Sequence, residues 1–149
     1  MGIKIREIDV NEIGVVVDIL NHLPEFNMIF YKKKLLDRLN KYESIILVAE
    51  YAGKPVGCKL AYNRYFDGSV YSWLGGVLKP YRKQGIATLL LCEMEKVARS
   101  RFFYSIRMKT RNCHADMLRF AIKHNFKING FEARGALNDA RIELIKSLK

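Results

Sequence analysis

Residues 44–78, SIILVAEYAGKPVGCKLAYNRYFDGSVYSWLGGVL, restrict the fold of this chain more than any other segment. Three β-rich runs follow one another there, separated only by turn signals at Ala52-Gly53 and Asp67-Gly68. Strands joined so closely run antiparallel, because a parallel pair needs a crossover of roughly a dozen residues or more. An Asp-Gly pair between such runs is a strong local hairpin signal, since both residues tolerate positive φ. The middle of the chain is therefore an antiparallel meander, and a doubly wound parallel sheet is excluded.

Helical periodicity lies on both sides of it. Upstream, IKIREI alternates as a strand; NEIGVVVDILNHL sets Ile13, Val16, Val17 and Leu20 on one helical face, with Asn11 as N-cap and Pro24 beyond the end. YKKKLLDRLNK reads as a second short helix. Downstream, GIATLLLCEMEKVARSR carries Ile86, Leu89, Leu90, Val97 and Ala98 at helical spacing, and FYSIRMKT is a strand. HADMLRFAIKHN is amphipathic through Ala115, Leu118 and Ile122, and FKINGFEARG and RIELIKSL close the chain as two strands. The predicted order is β-α-α-β-β-β-α-β-α-β-β, a mixed α/β (α+β) fold forming a single domain over residues 1–149.

Several function classes are disfavoured by composition. No apolar run approaches the roughly 18–20 residues of a membrane span, and the charged start MGIKIREIDV lacks a signal-peptide core. Arg6 stands where N-myristoylation at Gly2 needs a hydroxyl residue. Cys58, Cys92 and Cys113 are dispersed, which suits a reducing compartment, so a cytoplasmic protein is expected. The three histidines lack ligand spacing, and no metal is expected. The 26 lysines and arginines against 15 acidic residues call for an anionic partner. Without zinc-finger spacing or an RNP-like aromatic sequence, nucleic acid is the less favoured one.

The stretch GGVLKPYRKQGIATLLL, residues 75–91, is where such a partner would bind. A strand ends at Val77-Leu78, a loop crosses Lys79 to Gln84, and a helix begins near Gly85. The first turn of a helix presents N–H groups without intrahelical partners and a partial positive charge, a ready site for phosphate. Gly85 lets a phosphate approach the backbone, Ala87 is the next smallest choice, Thr88 adds a hydroxyl, and Arg82 and Lys83 add charge. Neither GxxxxGK[ST] nor GxGxxG occurs, so the mononucleotide and dinucleotide loops are excluded. Gly75-Gly76 is expected to mark a bulge or a close backbone approach. A bulge would leave main-chain groups at the strand edge that an extended, amide-bearing ligand can pair with. Diphosphate at the helix start and a peptide-like arm along the strand describe coenzyme A. The alternative is that the two glycines serve only helix packing.

VLKPYRKQGIA resembles motif A of the GNAT superfamily of N-acetyltransferases, [QR]xxGx[GA], through Arg82, Gly85 and Ala87, preceded by Val77 and Tyr81. A second signature follows in the strand SIRMKT, Asn112, an amphipathic helix and Phe126. The likeness extends over essentially the whole chain in element order. It implies an acetyl-CoA-dependent N-acetyltransferase with a mostly antiparallel sheet whose fourth and fifth strands splay apart in a V. The pantetheine arm would lie along Val77, Leu78 and Lys79, and the pyrophosphate would meet the N–H groups of Arg82, Lys83, Gln84, Gly85, Ile86 and Ala87, with Thr88 beside them. Asn112 would sit near the cofactor and can also N-cap its helix. The chain departs from the family in having Lys79 before Pro80, Arg119 where many members carry a tyrosine, and Asn125 in place of glycine.

The implied chemistry is direct attack of a primary amine on the thioester carbonyl in a ternary complex. The ammonium must first lose a proton, which calls for a base or a water chain, and a backbone N–H at the Gly75–Val77 bulge would stabilise the oxyanion. Glu50 at the end of a strand is the carboxylate candidate, Tyr71 and Tyr65 can line the acceptor cleft, and Cys113 beside His114 can act near the sulfur. Each also has an ordinary structural reading, as a solvated charge, a packed strand tyrosine and a helix-start surface pair. The acceptor region holds Glu25, Phe26, Tyr31, Tyr65 and Asp67, which suits a cationic amine, a peptide N-terminus or an acylated intermediate. A homodimer through the last strands follows from the resemblance alone. Two alternatives stay open: a CoA-binding sensor of this fold without catalysis, and a basic RNA- or ribosome-associated protein.

Overall fold

In the computed structural model, which describes residues 2–149, seven strands form one sheet in the order β1-β2-β3-β4-β5-β7-β6. The strands are β1 (Ile3–Glu7), β2 (Ser44–Tyr51), β3 (Lys54–Tyr62), β4 (Ser69–Val77), β5 (Ser105–Arg111), β6 (Lys127–Glu132) and β7 (Arg141–Ser147). The helices are α1 (Ile13–Asn21), α2 (Lys32–Leu39), α3 (Ile86–Ser100) and α4 (Ala115–Lys123). Their order is the one the sequence predicts. Neighbouring strands are antiparallel except β4 and β5, which the α3 crossover lets run parallel.

Helices cover both faces of the sheet, and β2 shows why its sequence is an unbroken apolar run. Ile45, Leu47 and Ala49 point to one side, where Ile86, Leu90, Leu91, Met94 and Ala98 of α3 bury them. Ile46 and Val48 point to the other, against Val16 and Leu20 of α1 and Leu35 and Leu39 of α2. A strand buried on both faces has no polar alternation to display. Among the described residues no helix is long and apolar enough to cross a membrane.

Local details depart from the sequence reading. Leu89 is exposed, and Leu91 and Met94 take its place in the buried stripe of α3. In α4 only Ala121 is buried, while Ala115 and Ile122 face outward. Asp9, not Asn11, caps the first turn: its carboxylate accepts from the Asn11 N–H at 2.8 Å, and residues 10–12 form a 3₁₀ turn before α1. The β2–β3 turn is tight, with positive φ at Ala52 and Gly53. Asp67-Gly68 instead ends a longer loop, in which Asp67 Oδ1 accepts from the Ser69 N–H at 3.0 Å. Asn125 adopts φ 71° just past α4, with its N–H on the Ile122 carbonyl and that of Phe126 on Ala121. That left-handed stop is why glycine or asparagine belongs there.

Candidate active site

β4 and β5 pair only over Ser69–Ser72 and Ser105–Met108. Past that point β4 continues to Val77 and β5 to Arg111 without pairing with each other. The V therefore opens at Ser72 and Met108, and the β4 edge from Trp73 to Val77 faces into it.

The irregularity expected at Gly75-Gly76 lies at Trp73. Gly75 and Gly76 stand opposite Lys59 and Cys58, Leu74 opposite Leu60 and Ser72 opposite Ala61, which leaves Trp73 as the extra residue. The two glycines answer close packing instead. A Cβ on Gly76 would come within 2.6 Å of Leu23 Cδ1, and one on Gly75 within 2.8 Å of the Cys58 carbonyl oxygen. Trp73 and Leu74 both pack on the α1–α2 side, so Gly75 alone faces the α3 side between Ser72 and Val77.

After β4 the chain makes a 3₁₀ turn over Lys79–Tyr81, passes Lys83 at φ 63°, and reaches Gly85 at φ 81° as the N-cap of α3. Gly85 has no capping side chain, and a Cβ built there would meet nothing within 4 Å. The first intrahelical bond around it is Leu89 N–H to the Gly85 carbonyl at 3.0 Å, which leaves the N–H groups of Ile86, Ala87 and Thr88 to other partners. Left-handed residues and a free first turn make an anion-binding concavity, so the residues present fit a diphosphate. Arg82 is less free than expected. Its Nε donates to the Val77 carbonyl at 2.8 Å, and both terminal nitrogens donate to Glu25, each at 2.7 Å. That bidentate contact holds the Glu25 carboxyl below its ordinary range. Arg82 thus ties the strand end to the segment after α1, and Lys79 and Lys83 are left as the exposed cations of the loop. Thr88 Oγ1 lies 3.2 Å from His124 Nε2, which brings the end of α4 against the start of α3.

The other candidates are spread around the V. Asn112 does not cap α4, whose N-cap is His114; its Nδ2 donates to the Leu137 carbonyl at 3.1 Å and its N–H to Ala140 at 2.8 Å, pinning the β6–β7 connection behind β5. Tyr71 is buried opposite Arg107 at the closed end of the V, edge-on to Tyr62 and Tyr65, and burial holds its phenol above the ordinary range. Cys113 is exposed beside His114 at the head of α4. Glu50 lies two strands from β4, where its carboxylate accepts from Arg6 Nε at 2.9 Å. Arg119 is exposed and pairs with Asp116 at 3.0 Å. Of the acidic acceptor residues, Glu25 is held by Arg82, and Asp67 by Ser69 and by Arg107 at 3.2 Å.

Sequence reading missed the Trp73 bulge, the Glu25–Arg82 clamp and the Thr88–His124 contact. Each depends on partners far along the chain, and only the small residues around Trp73 hinted at the first.

The family model described as "Acetyltransferase (GNAT) family" matches residues 16–126. No curated protein matches the chain. Among solved structures it resembles the ribosomal-protein-S18-alanine N-acetyltransferase from Escherichia coli, with TM-score 0.84 and 10% identity over 99% of this chain and 94% of that one. It also resembles an acetyltransferase of the GNAT family from Streptococcus pneumoniae (TM-score 0.80, 20% identity, 98% and 99% covered). A GNAT family acetyltransferase from Elizabethkingia anophelis with acetyl-CoA bound has TM-score 0.77 at 18% identity, with 97% of each chain covered. These identities carry the fold, the match of residues 16–126 carries the family, and the chain belongs to the GNAT family of acetyltransferases.

Proposed function

We propose that the protein transfers an acetyl group from acetyl-CoA to a primary amine, with both substrates held together at the V. The observation that carries this reading is an unpaired β4 edge running into a helix start where Gly85 leaves the space open. When bound, acetyl-CoA supplies an activated acyl group: a C–N bond forms as the C–S bond breaks, and of the two protons the ammonium gives up, one ends on sulfur and one in solvent.

The chain's own residues do the rest. The Arg82 N–H, expected at the diphosphate, already donates to the Lys79 carbonyl at 3.3 Å as the 3₁₀ turn closes. N–H groups from Lys83, Gln84, Gly85, Ile86 and Ala87 therefore hold the diphosphate with Thr88 beside them. Asn112 lies nearer the rest of the cofactor, and the backbone of Val77, Leu78 and Lys79 aligns the arm. N–H groups of β4 between Trp73 and Val77 orient the acyl oxygen. An alkyl ammonium, with a pKa near ~10.4, has to be deprotonated before it attacks. Tyr71, at the closed end of the V opposite Arg107, is the candidate proton donor. Glu50 through water and Cys113 beside His114 are the candidates for the amine's proton. A CoA-binding module without turnover is the second reading, favoured by Arg119, which offers no phenol and faces solvent.

The test is thermal denaturation of the wild type, Gly85→Ala and Gly85→Glu with acetyl-CoA, CoA and ATP. At a hundredfold excess over Kd a ligand stabilises by about 2.7 kcal/mol. Acetyl-CoA and CoA should raise the wild-type Tm, and Gly85→Glu should lose the response through repulsion of phosphate. Gly85→Ala controls for the strain of a side chain at positive φ. A wild type indifferent to both CoA species would refute the reading, and thiol release with simple amines then separates transfer from binding alone.

A further inference from the structure

We infer that the acceptor is a peptide amine whose following residues are acidic, held in a basic groove along α2; this rests on the acetyl-transfer reading. The groove is open, has a volume of about 1010 Å³, and is walled by Lys33, Lys34, Arg38, Lys41 and Arg64 against one carboxylate, Asp37. Only Lys33 among these cations has a carboxylate within 4.0 Å among the described residues, Asp37 at 3.3 Å. Elsewhere the chain spends its acidic groups on ion pairs: Glu50 and Glu12 on Arg6, Glu25 on Arg82, Asp67 on Arg107, Glu7 on Arg101 and Asp139 on Arg111. Four uncompensated cations in one groove are an arrangement that an anionic ligand completes.

Its position joins it to the V. The groove floor, Tyr62, lies edge-on to Trp73 at 5.5 Å and to Tyr71 at 5.8 Å between ring centres. Those two residues mark the bulge and the closed end of the V, so a chain lying along α2 ends where the acetyl group would be delivered. Lys33 to Leu39 covers six helical steps, about 9 Å at helical rise, the length of roughly three extended residues, and Lys41 follows just past the helix end.

At Tyr62, Trp73, Tyr65 and Tyr71 the aromatic geometry favours peptide carboxylates over stacked bases, and the exposed Tyr31 is the groove ring without a cation over it among the described residues. The Arg38 guanidinium sits 5.3 Å from the Tyr62 and Trp73 ring centres and donates to the Tyr62 hydroxyl. Arg64 lies 4.7 Å from the centre of Tyr71 and 5.3 Å from that of Tyr65. Both guanidinium groups are fixed on rings whose faces a nucleobase would need for stacking. The forks that remain suit carboxylates. The acidic residues of the acceptor region, Glu25 and Asp67, are already taken by Arg82 and Arg107.

The experiment pairs two fluorescein-tagged peptides with the same N-terminal alanine, one followed by Asp-Glu-Asp-Glu and one by Ser-Gln-Ser-Gln, with a pyrimidine RNA hexamer as third probe. Full-length protein is titrated by anisotropy with and without CoA, and kcat/KM is read by thiol release. The acidic peptide should bind and react at least about tenfold better at 0.1 M salt, with an advantage that falls as salt rises. Lys34→Glu combined with Lys41→Glu, both at the groove surface, should remove most of that advantage, while the Tm response to CoA stays at the wild-type value. Equal affinities for the two peptides, or tighter binding of RNA than of the acidic peptide, overturns the inference. A missing CoA response alone would strike the acetyl-transfer reading, because the anisotropy arm judges the groove without it.

Discussion

Replacing Lys59 with methionine should stabilise the protein at neutral pH. Lys59 lies on β3 opposite Gly75, between Cys58 and Leu60, which point to the α1–α2 core, so its own side chain enters the α3 side. Protein surrounds its ammonium, though water reaches part of the side chain, and burial lowers its pKa from 10.5 to about 8 despite the nearby Glu95 carboxylate. Below pH 8 the lysine is protonated in both states, and the fold bears the full cost of burying the charge. Between pH 8 and 10.5 the unfolded chain binds more protons than the folded one, so stability rises with pH; above that window the cost is gone. At 1.36 kcal/mol per pKa unit the ceiling is ~3 kcal/mol, and screening by the water that reaches the side chain brings the expectation to about 1–2 kcal/mol. Lys59→Met keeps the aliphatic stem, and Glu95 keeps Lys146 at 2.7 Å and Arg99 at 3.9 Å, so no carboxylate is orphaned. Urea unfolding at pH 7 should show that gain with an unchanged m value, and at pH 10.5 the gain should nearly vanish. A variant less stable at pH 7, or a gain of equal size at both pH values, would refute the reasoning.

Phe102 sits at φ 66° just after α3 and is 83% exposed, so it carries left-handed strain with little packing in return. Phe102→Gly should therefore stabilise by about 1 kcal/mol and raise Tm by roughly 2–4 °C in a scanning experiment. Gly75→Ala and Gly76→Ala should both destabilise, the first more, because its methyl meets the Cys58 carbonyl whereas the second meets the mobile end of Leu23. In urea unfolding we expect about 1–3 kcal/mol for Gly76→Ala. Part of that loss should disappear when Leu23→Ala is already present, a coupling read from the double-mutant cycle. Additive losses there would mean that Leu23 is not the obstacle.

What could be read in advance follows the range of the forces involved. Element order was legible because turns announce themselves locally, as at Ala52-Gly53, where both residues take positive φ. Gly85 was legible for the same reason: its φ of 81° and the bare space around it depend on the glycine itself. The face of α3 was less so, since three consecutive leucines fit several rotations of the helix, and only packing on the sheet turned Leu89 outward. The bulge was expected at Gly75-Gly76 and lies at Trp73 because the extra residue is defined by pairing with β3 and not by the residues of β4. The pairing of the acceptor-region charges was not legible because the partners of Glu25 and Asp67 come from distant segments, Arg82 lying 57 residues beyond Glu25. An isolated sequence shows which charges exist and leaves open which are already spent.

Trp73 links the two halves of the proposed site through parity alone. In a regular strand Trp73 and Leu74 would point to opposite faces. The extra residue sends both to the α1–α2 side, where Trp73 meets Tyr62 and Arg38 at the groove floor. It also resets the alternation, so that Gly75 takes the position on the α3 side that Leu74 would have filled. One face of β4 thereby gains a wall of large side chains, and on the other Gly75 stands close against the Cys58 carbonyl and Lys59. The loop proposed to receive the diphosphate begins just past Val77, whose carbonyl accepts from Arg82 Nε at 2.8 Å. In the proposed reading the cofactor lies along the unpaired β4 edge and the acceptor reaches the same strand from the face that carries Trp73, so that the two meet at the inserted residue.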